Sequence, residues 1–216
     1  MLRVLNEEDI RKLFGGGSER SDLEFKPPFT WGIKLEQPDG NILNQEKVIR
    51  GIMGLSHHSL GGVIIIGIEE RANHQPVIKG LGPRQLQSFQ DTEAICATID
   101  SFSAEKIYYE IGTGKFPNAR NQKVDLIVIT VEQFTHYATM CTKNGQTGQL
   151  RKGALYIRPA KGQPRTEEVT PPDFRELQDM ATDNVQTSLE NRGWMWNSTG
   201  GKEASRIADL EETGDE

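Results

Sequence analysis

The spacing of apolar residues changes along the chain, and each change predicts an element. Asn6 stands before a helical pattern reaching Phe14, with Leu5 and Ile10 at the staple positions around that cap. Gly15-Gly16-Gly17 then stops the helix and leaves a loose connector. Asp22-Leu23-Glu24-Phe25-Lys26 alternates with period two, which predicts a strand with Leu23 and Phe25 inward and Glu24 and Lys26 on the other face. Pro27-Pro28 ends it, and Pro38-Asp39-Gly40-Asn41 reads as a turn. Asn44 can cap a helix whose apolar stripe is Val48, Ile49, Ile52, Met53 and Leu55. Ser59-Leu60-Gly61-Gly62 breaks it, and the β-branched run Val63 to Ile68 predicts a central strand covered on both faces.

Further on, Pro83 to Ile99 predicts one helix, and Lys106 to Ile111 and Val124 to Val131 predict strands. Ala138 to Lys143 is expected to pair with Leu155 to Arg158 around Asn144-Gly145. Pro171-Pro172-Asp173 opens a last helix reaching Leu189. From Asn197 the chain is polar and acidic, which predicts disorder, with Trp194 and Trp196 either docked on the domain or serving a partner. The expected organisation is an N-terminal helix and glycine linker over 1–17, a domain over 18–190, and an acidic disordered tail over 191–216. The expected fold is α+β, a mixed sheet with packed helices.

With 216 residues and 35% hydrophobic content, the chain is long enough for such a core. Its longest unbroken apolar run, Val63 to Ile66, is far short of a membrane span, and residues 1–8 lack the apolar core of a secretory signal. Cys96 and Cys141 are isolated, without metal spacing or disulfide density, so reduced thiols in the cytoplasm are expected.

The net charge of −6 conceals segregation. Residues 1–114 hold 12 basic and 16 acidic side chains, 115–165 hold nine and two, and 166–216 hold four and 13. The middle block can face phosphate in an otherwise acidic protein; a solvated lysine rim has the same composition.

Three acidic positions fall at predicted loops and strand ends: Glu19, Glu24 and Glu69-Glu70. If the chain turns near Ser21, Glu19, Glu24 and Glu70 converge into a hard-oxygen site for Mg²⁺ or Mn²⁺, with Lys26 orienting or neutralising a phosphate. The alternative is solvated acids paired with Arg20, Lys26 and Arg71. Arg151, Lys152, Arg158, Lys161 and Arg165 bracket Tyr156, a mixture able to hold phosphate while an aromatic contacts a base or sugar. Tyr156 alternates with Leu155 and Ile157, so a packed strand residue is the competing reading. His57 and His58 do not share a helix face and read as helix-end groups satisfying backbone. Gly112-Thr113-Gly114-Lys115 lacks the full phosphate-loop pattern, since Phe116 replaces its hydroxyl, and reads as a surface loop.

Three segments in order resemble the Schlafen AlbA_2 family of nucleic-acid-binding domains. The first is Glu19-Arg20-Ser21-Asp22-Leu23-Glu24-Phe25-Lys26. The second is the helix end and strand from Gly54 through Gly61-Gly62 to Glu69-Glu70. The third is Leu155-Tyr156-Ile157-Arg158. The resemblance spans about residues 18 to 170 and implies a single AlbA_2-type lobe. It also implies a metal-dependent endoribonuclease site for structured RNA at Glu19, Glu24 and Glu70. Glu70 replaces the family's usual aspartate, and His58 its usual asparagine. Animal members use two related lobes, so one lobe implies a homodimer. The function expected from the resemblance is RNA cleavage. The alternatives are a non-catalytic nucleic-acid-binding or regulatory module, and an ATP-binding signalling component.

Overall fold

The computed structural model describes residues 2–14, 20–32, 40–70, 75–159, 165–190, 194–195 and 205–206. Two compact units divide it: residues 1–134 with 138–170, and residues 135–137 with 171–216. Helices and a mixed sheet make the fold α+β, and among the described residues no helix is long and apolar enough to cross a membrane.

The first unit is built on a five-stranded sheet. Its strands are β1 (Arg3–Leu5), β2 (Leu23–Lys26), β3 (Gly62–Ile66), β6 (Tyr109–Pro117) and β7 (Lys123–Val131), in the order β1-β6-β7-β3-β2. The β1–β6 and β2–β3 pairs are parallel, and β6–β7 and β7–β3 are antiparallel. Two short pairs accompany it: β4 (Ile68–Glu70) with β5 (Pro76–Ile78), and β8 (Tyr156–Ile157) with β9 (Glu167–Glu168). The helices are α1 (Glu7–Phe14), α2 (Gly40–Ser56), α3 (Pro83–Ser88) and α4 (Thr92–Asp100).

Burial explains the unbroken apolar run of β3. Ile64 and Ile66 pack with Val48, Ile49, Ile52 and Met53 of α2 and Ile95 and Ile99 of α4. Ile65 faces the other way, onto Ile10 of α1, Leu23, Phe25, Phe116 and Leu126. A strand with helices over both faces has no polar side to present, so alternation disappears. Gly61 makes the turn into β3 at φ +65°, where an added Cβ would stand 2.3 Å from the Val131 carbonyl oxygen.

Several expectations hold. The Asn6 cap is present: Asn6 Oδ1 accepts from Asp9 N–H at 2.9 Å, and Ile10 is buried with Leu5 against its cluster. The last helix, α5 (Pro171–Glu190), opens at the expected proline.

The N-terminal segment joins the sheet, with β1 paired to β6 and Ile10 of α1 fully buried. Other expectations need correction. Helix α2 starts at Gly40, four residues before its expected cap, so Asn44 lies within the helix. The single helix over 83–99 is two, because Asp91 caps a new start by accepting from Ala94 N–H at 3.0 Å. The Gly112–Lys115 segment is the middle of β6, not a loop. Its glycines admit close neighbours: a Cβ on Gly112 would come 3.0 Å from the Arg3 carbonyl oxygen, and one on Gly114 2.5 Å from Ile10 Cδ1. The 138–143 run is not a strand paired with 155–158. Cys141 instead exchanges backbone hydrogen bonds with Gly153 and Ala154, and β8 pairs with β9. In the second unit, within the expected disordered tail, β10 (Trp194–Met195) pairs antiparallel with β11 (Ser205–Arg206). Gly15–Gly17, Pro38 and Asp39 of the expected turn, Trp196 and most of the tail lie outside the described residues, and the turn's other two residues, Gly40 and Asn41, begin α2.

Candidate functional site

Strand β2 is not the half-exposed ribbon that its alternation predicts. Leu23 and Phe25 face the α1 side, as expected. Glu24 points the other way, yet it is only 6% exposed, because α2 and the β8 segment cover that face. Room for its carboxylate comes from Gly51 of α2, where a Cβ would stand 2.7 Å from Glu24 Oε2.

Two cations hold that carboxylate. Arg158, 1% exposed, donates from Nη1 to Glu24 Oε2 at 2.7 Å. Its Nη2 donates to the carbonyls of Leu23 (2.9 Å) and Arg20 (3.0 Å). Lys26 Nζ pairs with the other oxygen, Oε1. Burial by itself would raise the Glu24 pKa, but Lys26, Arg158 and Arg50 outweigh it and hold the group below the ordinary carboxylate value. The interior thus contains a fully paired, charged cluster.

His57 lies at the end of α2, 1% exposed. Thr139 N–H donates to its Nε2 at 2.8 Å, so Nε2 is unprotonated and Nδ1–H donates to the Tyr156 carbonyl at 2.5 Å. Burial lowers its pKa to about 4, so the ring is neutral. The reading of this histidine as a group that satisfies backbone is met by these two bonds.

The Lys26 side of the cluster opens into a cleft of about 630 Å³. Its acidic lining is Glu24, Glu69 and Glu70; its basic lining is Lys26, Lys47, Arg50 and Arg165. Asn44, Lys47 and Arg50 are contributed by α2, three residues apart along it. Arg50 is held in place: its Nη2 donates to the Thr166 carbonyl at 2.7 Å, and its guanidinium carbon lies 5.1 Å from the centre of the Tyr156 ring. Glu69 pairs with Lys79 at 3.4 Å.

Of the residues singled out in the sequence, Glu24, Lys26, Glu70 and Arg165 share this cleft. Glu19 and Lys161 lie outside the described residues. Tyr156 and Arg158 are interior and cannot meet a surface ligand: Tyr156 is 1% exposed, with its hydroxyl accepting from Arg151 N–H at 2.7 Å. Arg151 is exposed and paired with Glu168, and Lys152 is exposed; neither lines the cleft. Sequence reasoning missed Asn44, Lys47, Arg50 and Thr166. The three-residue spacing of Asn44, Lys47 and Arg50 along one helix was the available signal.

The fit to Mg²⁺ or Mn²⁺ is poor at Glu24, since each of its oxygens already meets a cation. Among the described residues, no group of three or more His, Cys, Asp or Glu side chains is arranged to hold a metal ion.

No protein-family model and no curated protein matches the chain. Among solved structures, it is similar to the crystal structure of the DIP2311 protein from Corynebacterium diphtheriae, a structural genomics target. The identity is 14% and the TM-score 0.43, with 79% of this chain and 27% of that chain covered.

Proposed function

We propose that this chain is a Schlafen AlbA_2-type lobe whose cleft binds the sugar-phosphate backbone of nucleic acid, structured RNA in preference to DNA, in the cytoplasm. One observation carries the reading: Lys26, Lys47, Arg50 and Arg165, from three distant stretches of sequence, line a single cleft. Cations gathered in a concave site attract phosphate and position it. Glu69 and Glu70 in the same lining are acceptors for ribose hydroxyls, which favours RNA. The resemblance is supported by the meeting of its segments: β2 and β3 are hydrogen-bonded neighbours, and Arg158 reaches Glu24. A homodimer would set two such clefts together.

A second reading, metal-dependent cleavage of structured RNA with Mg²⁺ or Mn²⁺, has one observation in its favour. Glu24, Glu69 and Glu70 line the same cleft as the four cations. It ranks second because Glu24 is already paired to Lys26 and Arg158.

Fluorescence anisotropy with a hairpin RNA and the matching DNA, with and without Mn²⁺, tests both. Tighter, metal-independent retention of RNA with the probe left intact is expected. Absence of RNA binding would sink the proposal. Mn²⁺-dependent cleavage that disappears in Glu70→Ala would replace it with the nuclease reading.

A further inference from the structure

We propose that the α2 wall of this cleft is a seat for one phosphoryl group, built by Lys47, Arg50 and Arg165 with Thr166, and needing no metal. The inference rests on the backbone-binding reading and names the residues that would carry it. Three of the four were not singled out by the sequence.

The cations on the β2 side are committed, Lys26 and Arg158 to Glu24. Lys47 and Arg165 line the cleft, and neither has an ion pair or side-chain hydrogen bond among the described residues. Arg50 adds a third positive charge whose direct hydrogen bond goes to a neutral carbonyl. With Glu24 held by Lys26 and Arg158 and Glu69 paired with Lys79, these three lining cations outnumber Glu70, the remaining lining carboxylate. They suit a phosphoryl group, which carries about −1.5 to −2 in monoester form and offers several acceptor oxygens.

Hydrogen bonding points the same way. Arg50 Nε and Thr166 Oγ1 are both buried without a hydrogen-bond partner. Unsatisfied buried polar groups are uncommon and call for an explanation. Here both belong to lining residues that touch one another, and both can donate, Nε–H and the hydroxyl. A phosphoryl oxygen accepts from either. The Tyr156 ring and the Thr166 carbonyl fix the guanidinium before any ligand arrives, so little freedom is lost on binding. Gly54 permits this arrangement, because a Cβ there would stand 2.5 Å from Thr166 Cγ2.

The test uses the full chain, titrated with inorganic phosphate by calorimetry and with hairpin RNA bearing a 5′-phosphate or a 5′-hydroxyl by anisotropy. The variant is Lys47→Gln with Arg165→Gln, at two side chains without an ion pair or side-chain hydrogen bond among the described residues; unchanged thermal unfolding confirms its fold. About tenfold or greater loss of RNA affinity is expected, with the slope of log K against log salt reduced by about 1.4 to 1.8 for two lost contacts. Arg50→Lys, which keeps the charge but not the planar fork, should weaken binding further. A preference for the 5′-phosphate would assign a terminal phosphate to the seat, and equal binding an internal one. If wild type binds RNA and the double variant binds it equally with the same slope, the seat is wrong while the backbone reading stands. If wild type binds phosphate, the variant does not, and neither binds RNA, the seat stands and the nucleic-acid reading fails. Binding of neither probe by wild type overturns both.

Discussion

Arg158 Nη1 lies 2.7 Å from Glu24 Oε2 in the interior of the fold, joining residues 134 positions apart. The same guanidinium holds the Arg20 and Leu23 carbonyls, so it clamps the start of β2 to the segment carrying β8. One residue was expected to be a metal ligand and the other a nucleic-acid contact. Their first partners are each other.

A buried ion pair is costly to break from one side, because the remaining charge stays desolvated. Arg158→Met should destabilise the protein by about 3–5 kcal/mol at neutral pH. Adding Glu24→Gln removes the stranded charge, and the double variant should recover a substantial part of that loss. Urea unfolding of the four proteins gives the coupling. Strictly additive losses would mean that the pair does not interact as the geometry states. Glu24 substitutions therefore confound folding with function, which is why Glu70 is the better probe of cleavage.

Gly51 is a second consequence of the buried carboxylate. In an open helix, Gly to Ala gains about 1 kcal/mol. Here the new Cβ would stand 2.7 Å from Glu24 Oε2 and 3.0 Å from Ile64 Cδ1. Overpacking of this kind costs about 1–3 kcal/mol, so Gly51→Ala should lower the melting temperature despite its better propensity. A raised melting temperature would show that Glu24 can move aside freely.

Period and capping made much of the scaffold legible. The runs of β3 and β7, the stripe of α2 and the Asn6 cap are local signals, and each led to the right element. What failed was non-local. Gly112 and Gly114 read as a loop because the approach of Arg3, Leu5 and Ile10 is invisible from their own neighbourhood. Glu24 and Lys26 read as a polar face because nothing in β2 announces that Gly51 and Arg158 cover it. The candidate site was half legible for the same reason. Glu24, Lys26, Glu70 and Arg165 were found by charge and position, whereas Tyr156 and Arg158 were assigned to a surface that the fold buries.

Glu46 gives a test of how loops are tied to α2. It is buried, and its carboxylate accepts from the backbone N–H of Gln146 and Thr147 and from the Thr147 hydroxyl. Glu46→Ala leaves those donors without their acceptor, a loss of about 1–3 kcal/mol. Faster amide exchange confined to Gln146, Thr147 and their neighbours is the expected signature. Unchanged exchange there would show that the loop is held by its own bonds, such as Gly145 N–H to the Leu150 carbonyl.

His57 sets the response to mild acid. Its pKa in the folded protein is about 4, against 6.5 ordinarily, because burial disfavours the imidazolium. Between those values the unfolded chain binds the proton and the folded one does not. Stability is therefore complete above pH 6.5 and is lost as the pH falls toward 4, by about 3 kcal/mol in all. At pH 5.5 about 1 kcal/mol of it should be gone. Glu24 acts in a separate window: its folded pKa lies below 4.5, so its contribution is intact above that value and declines only at lower pH. Urea unfolding at pH 7.5, 6.5 and 5.5 isolates the histidine, with His57→Gln as the comparison. The variant should be less stable at pH 7.5 and show a shallower dependence on pH, since the two proteins differ only at this group. Equal slopes would mean that folding leaves the His57 pKa unchanged. The Thr139 N–H bond to Nε2 opposes protonation in the folded state, because a protonated Nε2 has no lone pair to receive it.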